Sequence, residues 1–135
     1  MGSFWKFTKE KKIGVEKALG RDHYWHCGEG RGSDADLYFV KVVMKKGDKH
    51  DFHRHPEMNE ILYILKGKAE QWVEDEMKIL GPGDSVYIDA DVVHAIFNVS
   101  KDDLEFLAVL GPSSGWPAGT LDESQNEPYR NYRNR

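Results

Sequence analysis

Histidine and glutamate recur at short intervals between positions 53 and 94, and they are the side chains best suited to hold a metal. His53 and His55 flank Arg54, Glu60 follows after four residues, and His94 stands further on. Successive side chains of a strand point to opposite faces. His53 and His55 therefore share a face, and a turn before Glu60 lets a neighbouring strand aim a carboxylate at the same point. His94 adds a fourth ligand if its strand lies alongside. Imidazole nitrogens with one carboxylate oxygen suit a first-row divalent ion (Fe, Mn, Ni, Cu or Zn), and the absence of a thiolate disfavours soft-metal sites. Four protein ligands on an octahedral ion leave two open positions, and the ion keeps a net positive charge that can polarise an oxygen atom. The plainer alternative is a group of solvated histidines in a charged stretch.

The residues around these ligands favour the first reading. Five residues separate Gly47 from His53, and six separate Glu60 from Gly67. Ten residues separate Gly83 from His94, and three separate His94 from Asn98. The first block resembles motif 1 of the cupin family, G-x5-H-x-H-x3–4-E-x6-G, at every position. The second resembles motif 2, G-x5-P-x-G-x2-H-x3-N, at Gly83, His94 and Asn98, with Asp89 at the usual proline and Asp91 at the usual glycine. Aspartate tolerates turn and left-handed geometry better than most residues. The resemblance implies an all-β double-stranded β-helix, or jelly-roll barrel, with His53, His55, Glu60 and His94 at its centre. It does not name a reaction, because cupins include dioxygenases, isomerases, decarboxylases, lyases and non-catalytic binding proteins.

The elements that would position these ligands can be read from period and turns. Leu37 to Lys45 alternates, with Tyr38, Val40, Val42 and Met44 on one face, and leads into the Gly47 turn. Further short strands are expected at Glu60 to Leu65, Lys68 to Glu74, Ser85 to Ile88, His94 to Val99 and Leu104 to Leu110, with Gly81-Pro82-Gly83-Asp84 as a strong turn. Strands of this length with turns every 8 to 12 residues or so suit a sandwich or jelly roll. The predicted organisation is an N-terminal arm over residues 1–30, a barrel over 31–112 and a C-terminal arm or tail over 113–135.

Phase also sorts the lining. Glu60, Leu62 and Ile64 face inward, as do His94, Ile96 and Asn98. Gln71 shares its phase with Ala69 and Val73, which places a neutral amide inside. It is either a substrate-orienting group or a core amide satisfied by backbone. Trp72 falls on the outer phase and is expected in a subunit contact. Asn98 reads as a strand-end buttress rather than a ligand, and His50, out of phase with His53, as a surface residue. His23 and His26, three apart, do not make a second metal site. The arm aromatics from Phe4 to Trp25 suit an edge strand or a subunit contact. Trp116 is the expected anchor of a C-terminal strap, with fraying predicted beyond residue 125.

Composition narrows the function. The chain has 135 residues, a net charge of −4 and 31% charged residues, which fits one globular domain and gives no field for nucleic acid or an anionic membrane. No apolar run suits a membrane span or a signal peptide, and Cys27 is the single cysteine, so a cytoplasmic location is expected. The expected function is that of a metal-dependent enzyme acting on a small oxygenated organic substrate, with dioxygenase, isomerase and lyase chemistry all open. Glu60 is the candidate proton acceptor, and Gln71 and Tyr38 are the candidate substrate-binding residues. Tyr87 is a weaker candidate base. The alternative is a non-catalytic metal- or metabolite-binding module. A homodimer is expected from the aromatic edges.

Overall fold

The computed structural model describes residues 3–28 and 35–133. Among these residues eleven strands make up most of the regular structure: β1 (Glu16–Ala18), β2 (Arg21–Cys27), β3 (Tyr38–Met44), β4 (Lys49–Arg54), β5 (Asn59–Lys66), β6 (Ala69–Val73), β7 (Glu76–Leu80), β8 (Ser85–Ile88), β9 (His94–Asn98), β10 (Leu104–Gly111) and β11 (Leu121–Asp122). They form two antiparallel sheets, in the orders β1-β2-β3-β10-β5-β8 and β11-β4-β9-β6-β7. Strands distant in sequence lie side by side, with β10 between β3 and β5 and β9 between β4 and β6. The result is the jelly-roll barrel. Among the described residues no helix is long and apolar enough to cross a membrane.

Alternation in the sequence produces the core. Tyr38, Val40, Val42 and Met44 on β3 are all buried, as are Leu104, Phe106, Ala108 and Leu110 on β10 and Leu62 and Ile64 on β5. They meet Ala69 and Ile96 of the second sheet. Full burial of one such aliphatic or aromatic side chain is worth about 1.5–3 kcal/mol. A one-residue slip of β10 would turn that whole row outward, which fixes the register.

Two turns show why their residues are needed. Gly67 has φ +89°, and a Cβ there would lie 2.7 Å from Ser100 Oγ and 2.8 Å from the Asp103 carbonyl, so only glycine fits. Asp91, in place of the motif glycine, takes φ 70°, and its Oδ1 accepts a hydrogen bond from Arg54 Nη1 at 2.5 Å. Asn98 clamps the end of β9: Nδ2 donates to the carbonyls of Met44, Lys45 and Asp102 at 3.2, 3.0 and 2.9 Å, and Oδ1 accepts from the Ser100 amide at 2.8 Å.

Three expectations are corrected by the fold. The C-terminal segment does not fray over residues 126–133, the described residues beyond 125. Tyr129 and Tyr132, on a short 3-10 turn, close over Phe52 at 5.6 and 5.9 Å between ring centroids. Arg133 lies 4.0 Å above the Phe97 ring and pairs with Glu70 at 2.6 Å. Trp72 stacks on Tyr132 at 5.6 Å and 4°, so its outward ring packs on its own chain where a subunit contact was expected. The sequence carried a sign of this strap, since Phe52, Ala95 and Phe97 are apolar on the outer phase of β4 and β9 and are fully buried beneath it. His50 is the third correction. Between β4 and β9 the register runs His50↔Ile96 and then His53↔His94, three residues against two. That bulge brings His50 back into phase. Its ring stacks on His53 with centroids 3.5 Å apart, inside the barrel mouth rather than on the surface.

Candidate metal centre

The structure brings His53, His55, Glu60 and His94 together from β4, the turn after it, β5 and β9. One ligand atom from each lies within 4.8 Å of all the others, and all four residues are buried. Metal–nitrogen and metal–oxygen distances of about 2.0–2.2 Å place trans ligands roughly 4.2 Å apart, so the cluster fits one ion after shifts of a few tenths of an ångström. Glu60 is the hub. Its Oε1 is 3.0 Å from His94 Nε2 and 3.4 Å from His55 Nε2.

The other ring nitrogen of each histidine is already held. His53 Nδ1 is 2.6 Å from the Asp51 carbonyl, His94 Nδ1 is 2.9 Å from the Val92 carbonyl, and His55 Nδ1 is 3.1 Å from Thr120 Oγ1. In the tautomer that donates from Nδ1, every Nε2 lone pair is free for an ion, which is how histidine ligands are usually oriented. Local backbone geometry supplies two of these contacts, each between a histidine and the carbonyl two residues earlier. Only the folded C-terminal arm supplies the third.

Electrostatics follow from burial. Burial pushes the His53 imidazole well below its ordinary value, and the neighbouring histidines add to the effect. Burial also opposes ionisation of Glu60, but hydrogen bonds from His55 and His94 outweigh it and hold the carboxyl well below the usual carboxylate range. His94 moves the other way: burial lowers it, the Glu60 carboxylate outweighs burial, and the net shift is upward. His94 and Glu60 thus form a buried pair whose contact an ion would have to break.

A cavity of about 280 Å³ opens above the cluster. His55, Glu60 and Thr120 line its base, and Val40, Val42 and Phe106 its apolar wall. Trp116 closes one side and packs on Tyr38 at 4.4 Å and Trp25 at 5.8 Å, so the predicted anchor does hold the C-terminal arm to the barrel. Gly115 permits this approach, because a Cβ there would meet the Glu57 carbonyl at 2.1 Å.

The remaining sequence candidates lie elsewhere. Tyr38 is 1% exposed and packs behind the Trp25 and Trp116 rings, outside the lining of this cavity. Gln71 is buried as its phase requires, with Nε2 donating to the Trp72 carbonyl at 3.1 Å and Oε1 lacking a partner. It lines a separate cavity of about 360 Å³ by β7 and β8. Tyr87 is on the outside, its hydroxyl donating to Asp89 at 2.7 Å. His26 meets Glu10 at 3.0 Å, away from the cavity that His23 lines. Sequence reasoning missed Arg21, His23 and His50 as cavity residues. The alternation Arg21-x-His23-x-Trp25 was the available signal, since it places all three on one face of β2.

Comparison with known proteins agrees with this geometry. Residues 40–110 match the family model described as Cupin domain. Over 108 residues, 70% of this chain, it is 29% identical to a glucose-6-phosphate isomerase of Thermococcus kodakarensis, covering 57% of that protein. Over 72 residues, 53% of the chain, it is 32% identical to an oxalate-binding protein of Thermotoga maritima, covering 60% of it. The chain thus spans little more than half the length of these curated relatives. Among solved structures, KdgF from Halomonas sp. superposes with a TM-score of 0.70 at 20% identity, covering 81% of this chain and 94% of that one.

Proposed function

This chain belongs to the cupin family, and we propose that it is a metal-dependent enzyme acting on a small oxygenated organic molecule in the cavity above its His53, His55, Glu60 and His94 cluster. The observation that carries this reading is the convergence of three imidazoles and one carboxylate, two of which, His55 and Glu60, line an open, largely apolar cavity. A divalent Fe, Mn, Ni, Cu or Zn ion there would supply Lewis acidity or, for iron and copper, redox chemistry. The chain's own contribution is to orient the three imidazoles through Asp51, Val92 and Thr120, and to exclude bulk water with Trp25 and Trp116. Glu60 is proposed to hold the ion and to accept a substrate proton when it loosens. Dioxygenase, isomerase and lyase chemistry all remain compatible with this site.

Protein purified without a histidine tag is expected to carry about one equivalent of a first-row metal by ICP-MS, and His53→Ala none. No metal in either protein overturns the reading. A non-catalytic binding module is the second reading, favoured by the identity to an oxalate-binding protein. It predicts a bound ligand that proton NMR finds unchanged after prolonged incubation. Pairing of two copies is proposed through the exposed row Ile61, Tyr63 and Leu65 on the outer face of β5, and light scattering of the purified protein tests it.

A further inference from the structure

Across the cavity from the metal cluster, β2 builds a second polar pole that the motifs do not include. Arg21, His23 and Trp25 pair with Met44, Val42 and Val40 of β3, all inward-facing core positions, so this face of β2 extends the cavity wall. Arg21 is only 4% exposed, yet it lines the cavity. Its Nη1 donates to the Lys49 carbonyl at 2.6 Å. Among the described residues no carboxylate forms an ion pair with its guanidinium, and Asp48 acts on it from further away. His23 Nδ1 is buried without a hydrogen-bond partner, 3.8 Å from the nearest Glu16 oxygen. Trp25 Nε1 holds that Glu16 carboxylate at 3.1 Å, at the cavity rim.

A buried guanidinium without a paired anion is costly, and its planar fork of donors suits a carboxylate. The pole is also joined to the metal cluster. Lys49, whose carbonyl Arg21 holds, precedes His50, and the His50 ring lies flat on His53 at 3.5 Å and 5°. One imidazole layer therefore separates the Arg21 anchor from a metal ligand.

We infer that Arg21 and His23 form a carboxylate subsite, and that the substrate class is a small 2-oxo or 2-hydroxy acid lying between this subsite and the metal cluster. The inference rests on the metal-site reading for the placement of the second oxygen. The carboxylate takes the unspent N–H donors of Arg21 and the Nδ1 of His23. The carbon skeleton meets Trp25, Trp116 and Phe106, and the adjacent oxygen points to the cluster. At about 280 Å³ the cavity sits at the small end of ligand sites, which matches an acid of a few carbons. One cation with the Glu16 and Asp48 carboxylates near the subsite favours a singly charged carboxylate over a doubly charged phosphate.

The test is calorimetric titration of pyruvate and of its neutral isostere pyruvamide into Mn²⁺-loaded and EDTA-stripped protein. Wild type is expected to prefer pyruvate by about tenfold or more, the worth of one charge-assisted pair. Arg21→Gln should abolish that preference while leaving the manganese content unchanged by ICP-MS, and Arg21→Lys should retain part of it. If Arg21→Gln does not fold by circular dichroism, His23→Leu is read instead, with an expected loss of about threefold or more in pyruvate affinity. Equal binding of pyruvate and pyruvamide by wild type overturns the subsite. Retention of the full preference by the folded variants overturns it too, as does tighter binding of inorganic phosphate than of pyruvate. Failure of the metal reading is distinguishable: the protein then holds no manganese, while the pyruvate preference of the stripped protein still decides the subsite.

Discussion

Tyr132→Ala should destabilise the barrel from the outside, although its position near the chain end would suggest a neutral site. The ring stacks on Trp72 at 5.6 Å, meets Phe52 edge-on at 5.9 Å and touches Tyr129 at 5.7 Å. A buried aromatic removes about 150–250 Å² from water, and Tyr132 is half-buried, so roughly 100 Å² is at stake. At about 25 cal/mol per Å² that is ~2.5 kcal/mol, and regained rotamer freedom lowers the net loss to ~2 kcal/mol. For a domain of this size the midpoint should fall by roughly 6–8 °C. Differential scanning calorimetry and urea unfolding measure this, and loss of the stack should alter the Trp72 emission. Tyr132→Phe keeps the stacked ring and should stay within about 0.5 kcal/mol of wild type. Metal affinity should fall only modestly, because the His53 contact to the Asp51 carbonyl is local, although β11 pairs with β4 at Arg54 and His53. A midpoint drop below about 1 °C for Tyr132→Ala would refute the strap as a packed element.

Other outcomes follow from the same geometry. Asn98→Ala removes donors to three carbonyls and should cost about 2–4 kcal/mol in urea unfolding, leaving metal stoichiometry intact where the protein folds. Gly115→Ala drives a Cβ into the Glu57 carbonyl, so Trp116 must leave its seat on Tyr38. A loss of at least about 2 kcal/mol is expected, with weaker binding of cavity ligands. Metal-free protein should lose stability as the pH falls below about 6.5, the ordinary histidine value. Burial depresses His50 and His53, so the unfolded chain binds protons there that the folded chain does not, with a slope of up to about 1.4 kcal/mol per pH unit per histidine. His94 has the opposite sign: its raised value gives stability present below pH 6.5 and lost as the pH rises through the folded value. The Glu60 contribution is present above its unfolded value of 4.5 and lost only in stronger acid. The metal-free optimum is therefore expected close to pH 6.5, and urea titrations across pH 5 to 8 check it.

Much of the barrel was legible because several of its strands, β5 and β10 above all, alternate in burial. The inward row of β3, the row of β10 and the Ser85–Ile88 strand are found where period and turns place them. The cluster that could hold a metal was legible from spacing, since Gly47, Gly67 and Gly83 bracket it at fixed offsets and Asp91, at the motif glycine, still reaches the left-handed region. The strap was harder to read. Tyr129 and Tyr132 cover Phe52 from a 3-10 turn whose three-residue spacing has no strand period, and the apolar outer positions Phe52, Ala95 and Phe97 were the indirect clue.

Local chemistry in the sequence thus determined which side chains could bind a metal and which face of each strand they occupy, because both depend on periods of two residues and on turns of fixed length. What lies across the cavity was decided only by tertiary structure. The β4 bulge that turns His50 inward, the pairing of β2 with β3 that brings Arg21 and His23 to the wall, and the arm that sets Thr120 against His55 each depend on contacts between residues distant in the chain. Strand period constrains neighbours along one segment, but it carries no information about which segment becomes the partner.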